Sequence, residues 1–184
     1  GSLLPGFGEE HARVMSKFNH LQVTIGLIRD GFHPESPGGR VVIRDDGTPV
    51  LDYPMTPYLW EGARRALLTM SRLQFAAGAQ SVQPVHEFAR GAESWESSKK
   101  EIESLAMEPR VARVVSAHVM GGCALGPDAR SSVVDESGRH HQVDNLSVHD
   151  GSIFPTSLAT NPQLSIYAIA ARMASALAAS LRSS

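Results

Sequence analysis

The sequence has 184 residues, 42% of them hydrophobic and 20% charged, with a formal net charge of -2. That length suffices for one domain, or pieces of two, with a substantial core, and the near balance of charge removes any electrostatic drive toward nucleic acid or an anionic membrane. The single cysteine, Cys123, excludes an intramolecular disulfide, and without an uninterrupted apolar run of about 18 residues no transmembrane segment is expected.

Near the N-terminus, Gly6-Phe7-Gly8-Glu9-Glu10-His11 begins like a dinucleotide-binding loop, but His11 stands where the third glycine belongs. Leu3-Leu4-Pro5 is also too short for the strand that must precede such a loop, so it is rejected. No signal peptide is visible, which favours the cytoplasm, although Gly1-Ser2 has the character of a vector remnant that hides the natural N-terminus. From His20 to Arg29 the residues alternate, with Leu21, Val23, Ile25 and Leu27 on one side, which predicts a strand with that side buried. The stretch from Phe32 to Gly39, rich in proline and glycine, reads as a surface loop.

Arg40 to Arg44, then Asp45-Asp46-Gly47, then Thr48 to Tyr53 spell a hairpin, because Asp46-Gly47 supplies the positive φ that a tight turn needs. Thr56-Pro57 is the signature of a helix start and Gly78 of its stop. Between them Leu59, Ala63, Ala66, Leu67, Met70, Leu73 and Ala77 recur at helical spacing, so this helix is expected to cover the sheet. Residues 89–104 are polar, with Trp95 and Ile102 as the anchors of a loop or short helix. Val111 to Ala117 reads as a short strand delivering His118 to a glycine-rich loop, and Asn145 to Asp150 as a strand ending in the turn Asp150-Gly151-Ser152. Asn161-Pro162 opens a last helix whose buried stripe would be Ile166, Ile169, Ala170, Met173, Leu177 and Leu181.

Two of these residues suit chemistry. His118 can act as a general base, since a histidine titrates near neutrality, and Asn161 can donate and accept hydrogen bonds without changing charge. Taken singly, each has an ordinary alternative: His118 as a histidine satisfying loop backbone, Asn161 as a helix N-cap. Cys123 with His118, His140, His141 and His149 also admits a metal-binding module, but their spacing follows no zinc pattern, and adjacent His140-His141 would diverge in a strand.

Taken together, the spaced elements resemble the C-terminal part of the glucose-methanol-choline (GMC) family of flavin oxidoreductases. The family pattern is met by His118, Gly121, Gly122 and Gly126, then Val133-Val134-Asp135, Asp150-Gly151-Ser152 with Pro155, and Asn161-Pro162. The paired glycines and Asn161-Pro162 look most like the cholesterol oxidase and long-chain alcohol oxidase branches, while Leu125 and Ala124 depart from the Met and Arg common there.

The resemblance implies an α+β fold. Residues 1–110 would be an antiparallel-sheet substrate domain with covering helices. Residues 111–184 would be the strand and helix that close the FAD-binding domain, whose N-terminal segment is not in this sequence. It implies alcohol oxidation by hydride transfer to flavin, with His118 taking the hydroxyl proton and Asn161 holding the oxygen. Asp150, Gly151, Pro162 and Gln163 would contact FAD, and no metal is called for. The substrate would be a small-molecule alcohol, with lipid-like ones suggested by the branch. The chain alone is expected neither to retain FAD nor to turn over, and the apolar surface left on the Leu146-Val148 strand would be covered by an unseen partner, by another copy in a homo-oligomer or by local rearrangement. A non-catalytic interaction domain is the third reading.

Overall fold

The computed structural model describes residues 4, 6–31 and 33–182. Gly1-Ser2, Leu3, Pro5 and Phe32, named in the sequence readings above, lie outside the described residues. The chain forms an α+β structure that separates into two compact units, Gly1–Ile28 with Met55–Val115, and Arg29–Pro54 with Ser116–Ser184.

The first unit contains the helices α1 (Gly8–Met15), α2 (Pro57–Ala76) and α3 (Trp95–Ser104). Helix α2 starts where the sequence placed it: the Thr56 hydroxyl accepts the Leu59 N–H at 3.4 Å, and Pro57 fills the first turn. It stops at Gly78, whose N–H bonds the Phe75 carbonyl at 3.0 Å. The polar stretch forms helix α3, capped by the Ser94 hydroxyl on the Ser97 N–H at 3.2 Å, and Ile102 anchors it fully buried.

Two polar contacts join α2 to α3. The buried hydroxyls of Ser71 and Ser98 lie 2.6 Å apart. The Arg64 guanidinium donates to the carbonyls of Ile102, Glu103 and Leu105 at 2.6, 3.0 and 2.9 Å, satisfying groups that a helix end leaves without partners. The expected apolar face of α2 is correct at Leu59 and Ala63 but not at Leu73, which is exposed; buried Ser71 takes part in the packing instead. Fully buried His86 is used structurally at both ring nitrogens, Nε2 lying 2.8 Å from the Ala106 carbonyl and Nδ1 accepting the Phe88 N–H at 3.1 Å.

Residues 21–28 correct the sequence reading. They form no regular element and belong to no sheet, and Leu21, Val23, Ile25 and Leu27 are between 42% and 77% exposed. The opposite side meets α2: a Cβ on Gly26 would stand 3.0 Å from the Ala66 Cβ, Ile28 approaches Gly62, and Gln74 hydrogen-bonds Thr24. Small residues on that side admit the helix, and the apolar row faces outward.

The second unit contains the hairpin β1 (Arg40–Ile43) and β2 (Pro49–Asp52), paired antiparallel with Arg40 opposite Asp52 and Ile43 opposite Pro49. Its turn is as expected, with Gly47 at φ +82° and the Asp46 carboxylate accepting the Thr48 N–H at 2.9 Å. That bond holds the exposed Asp46 carboxyl below its usual pKa. The hairpin thus groups with the C-terminal residues, whereas the sequence placed it in residues 1–110; the division at about residue 110 is kept as a proposal for the complete protein.

The core of this unit is Val134, Ile153 and Met173, flanked by Leu125, Val133, Val148 and Ile169. Met173 comes from α4 (Gln163–Arg182), the last helix; Ile166, Ile169, Ala170 and Leu177 are half-buried, but Leu181 is exposed, because the helix outruns the core beneath it. By length and composition alone α4 is apolar enough to cross a bilayer, contrary to the expectation that no segment would be. Its inner side, however, is packed against protein through Met173 and Ile169.

Neither strand expected around the site forms in full. Val111 to Ala117 makes one isolated bridge, Ala112 with His86, and Val114 and Val115 are exposed. The stretch around Ser147 pairs briefly with residues 138–140, through His140 N–H to Leu146 and Val148 N–H to Gly138 at 2.9 and 2.8 Å. With so few neighbours to pair with, the backbone takes bridges in place of ladders.

Candidate functional site

His118 enters a loop whose course is set by Gly121 and Gly122, at φ +84° and +104°, a region that side-chain-bearing residues rarely adopt. Beyond them the N–H groups of Gly121, Cys123 and Leu125 bond the carbonyls of Gly151, Ser152 and Ile153 at 3.2, 2.9 and 2.9 Å. This rung-like set fastens the loop alongside the Asp150-Gly151-Ser152 turn. Its far end is braced by His141, whose Nε2 lies 3.0 Å from the Ser132 hydroxyl and 3.1 Å from the Gly126 carbonyl. Asp128, in the same stretch, is held ionised below the usual carboxylate range by the Arg130 guanidinium, with which it pairs at 2.7 Å.

A cleft of about 400 Å³ opens beside this loop. Ala117, His118 and Val119 form one wall, and Asn161, Pro162, Gln163, Ile166 and Tyr167 the other. The structure therefore brings together four of the six sequence-predicted residues. Gly151 lies behind them: a Cβ there would stand 3.0 Å from the Ile166 Cδ1 and 3.3 Å from the Val119 carbonyl, so its lack of a side chain lets both walls close on the turn. Asp150 is not on the cleft lining. Its carboxylate caps the turn by accepting the Ser152 N–H at 2.7 Å, and Ser152, through its hydroxyl and this N–H, keeps the carboxyl below the usual range.

The start of α4 differs by one residue from the sequence reading. Its first bond runs from the Ile166 N–H to the Pro162 carbonyl at 2.9 Å, so buried Pro162 holds the cap position and Asn161 stands outside the helix. Asn161 is therefore not an N-cap, and among the described residues no hydrogen bond engages its side chain or that of His118. The N–H groups of Gln163, Leu164 and Ser165 precede the first helical bond, so the cleft is edged by the positive end of a 20-residue helix. The negatively charged N1–C2=O edge of a reduced flavin suits that end.

Sequence reasoning missed Tyr167, which lines the cleft and accepts a hydrogen bond from the Gln163 carboxamide at 2.6 Å. The signal was present, since residues four apart on a helix share a face.

Among the described residues no three His, Cys, Asp or Glu side chains gather as a metal site. His140 Nδ1 accepts the N–H groups of Gln142 and Val143, each at 3.0 Å, and His141 serves the loop brace. A second hollow, about 270 Å³, lies between Arg139, His149 and Leu177 and holds none of the residues predicted for catalysis or cofactor binding.

Comparison with known proteins bears on this cleft. The family model described as GMC oxidoreductase matches residues 34–170, a span that contains both walls. An uncharacterized GMC-type oxidoreductase of Sinorhizobium fredii is 30% identical over 131 residues, 70% of this chain and 25% of that protein. The long-chain-alcohol oxidase FAO4A of Arabidopsis thaliana is 30% identical over 142 residues, 70% of this chain and 20% of its own. A cholesterol oxidase of Acinetobacter baumannii is 44% identical over 57 residues, 31% of this chain and 10% of its own. The chain thus spans 25% and 20% of the length of the first two relatives.

Proposed function

The chain belongs to the GMC oxidoreductase family, and from that membership we propose that the complete protein is an FAD-dependent enzyme that oxidises CH–OH groups, with this chain supplying one side of its active site. The family is one of oxidoreductases, generally FAD-dependent. The observation that carries the reading is the meeting of His118 and Asn161 on one cleft with the N-terminal end of α4.

FAD, when bound, supplies the acceptor for the hydride from the carbinol carbon. His118 accepts the hydroxyl proton at an imidazole nitrogen, which leaves the alkoxide electrons free to form the carbonyl as the C–H bond breaks. Asn161, outside the helix and without another partner among the described residues, donates from its carboxamide to the substrate oxygen as negative charge grows there. The N–H groups of Gln163, Leu164 and Ser165 would hold the electron-rich edge of the cofactor, with Pro162 at the head of the helix. Gly151 lets the two walls close on the turn behind the cleft, and Asp150 orders that turn. Val119 and Ile166 give the cleft an apolar surface on which a hydrocarbon skeleton rests, which supports a lipid-like alcohol as the substrate.

The test uses the complete protein loaded with FAD. Anaerobic mixing with a primary or secondary alcohol should bleach the flavin, and His118→Ala should slow this by roughly 10²–10⁴-fold, the usual worth of a positioned base. An unchanged rate overturns the role of His118, and failure of all alcohols to bleach the flavin overturns the function. The 184-residue chain alone should bind FAD weakly and oxidise nothing. The βαβ unit that cradles the pyrophosphate would come from the remainder of the protein. Tight stoichiometric binding in a fluorescence titration would overturn that part.

A further inference from the structure

Gln163 and Tyr167 present hydrogen-bonding capacity that no other side chain among the described residues uses. The Gln163 Nε2 donates to the Tyr167 hydroxyl oxygen at 2.6 Å. That bond leaves the Tyr167 O–H as a donor and the Gln163 Oε1 as an acceptor, and Tyr167 is 60% exposed. Both side chains line the cleft that holds His118 and Asn161, while Ala117, Val119 and Ile166 around them offer only apolar side chains. The spacing of the pair on the first turns of α4 holds the two polar groups together as one donor and one acceptor.

Resting on the alcohol-oxidation reading above, we infer that this pair reads a second hydroxyl on the substrate, so that the preferred class is a hydrocarbon skeleton carrying a further hydroxyl beside the reacting one. Such a hydroxyl accepts from Tyr167 and donates to Gln163, replacing the water that it displaces. An unbroken hydrocarbon tail displaces the same water and returns nothing, which leaves the pair unsatisfied. Sites built to bond a hydroxyl discriminate against its absence far more strongly than apolar sites discriminate by size.

The experiment compares n-octanol with a set of octanediols as substrates of the complete FAD-loaded enzyme. Wild-type protein should favour at least one octanediol over octanol by about tenfold or more in kcat/KM, the worth of a well-made hydrogen bond. Tyr167→Phe should bring that ratio to within about twofold of unity, chiefly through a higher KM for the diol. Wild-type preference for octanol, or a diol preference that survives Tyr167→Phe, overturns the inference while leaving alcohol oxidation intact. If no member of the set bleaches the flavin, the alcohol-oxidation reading falls and this inference with it.

Discussion

The hydroxyl oxygens of Ser71 and Ser98 lie 2.6 Å apart where α2 meets α3, and both residues are buried. Each hydroxyl is therefore a partner of the other, and both are closed off from the surface. Ser71→Ala should destabilise the chain by about 1–3 kcal/mol, the cost of leaving a buried polar group unsatisfied. The double replacement of Ser71 and Ser98 by alanine should cost less than the sum of the single ones, since it removes both ends of the contact. Urea unfolding of the four proteins measures this; strict additivity would show that the two serines are satisfied independently.

Arg64 gives a second measure of the same junction. Its guanidinium serves three carbonyls at the end of α3, and a lysine cannot present that fan of donors. Arg64→Lys should lower stability by roughly 1–2 kcal/mol and should speed amide exchange in the last turn of α3 more than in α2. Equal acceleration in both helices would mean that Arg64 acts on the unit as a whole.

These two contacts mark what the sequence could not disclose. The hairpin and α2 were legible because their signals are local: Asp46-Gly47 for the turn, Thr56-Pro57 for the cap, Gly78 for the stop. Arg64 and the carbonyls it serves are distant in sequence, and no periodicity announces such a pair. Residues 21–28 show a subtler limit. Alternation revealed that the segment has two faces but not which one is covered, and the face with Thr24, Gly26 and Ile28 met α2 because Gly26 allows a close approach. At the cleft, the placement of His118 and Asn161 on one site could be anticipated from spaced motifs, whereas the one-residue shift at Pro162 depends on which carbonyl accepts the first helical bond.

That shift makes Asn161 testable apart from helix stability. In the complete enzyme, Asn161→Ala should slow flavin reduction by the alcohol by about 10²–10³-fold, the worth of a positioned donor to a developing oxyanion, while FAD occupancy stays near that of wild type. If loss of bound FAD accounts for the whole defect, Asn161 is a structural residue.

Asp150 predicts a pH dependence. Its folded-state pKa is depressed by Ser152, so the folded state binds fewer protons than the unfolded one around that pKa. The resulting stability is fully present above the ordinary aspartate value of about 3.9 and is lost as pH falls through the depressed folded value. Unfolding midpoints measured from neutrality downward should therefore decline below about pH 4, and the decline should be shallower in Asp150→Asn. An identical profile in the variant would assign the acid sensitivity to other carboxylates, such as Asp128 with its Arg130 partner.

The interleaving of the two units bears on the order in which the molecule can be made. Within this stretch, residues 6–28 of one unit are synthesised first, then the hairpin of the other, before either has the remainder of its contacts. The hydrogen bond from the Thr156 hydroxyl to the Gly31 carbonyl, at 3.0 Å, cannot form until almost the whole chain has emerged. Such long-range closures fold slowly, and the apolar row Leu21, Val23, Ile25 and Leu27 stays exposed before and after them. Nor does any cut, or any circular permutation, release either unit as one continuous stretch, because the four segments alternate between the units, so neither unit can be expressed alone by truncation.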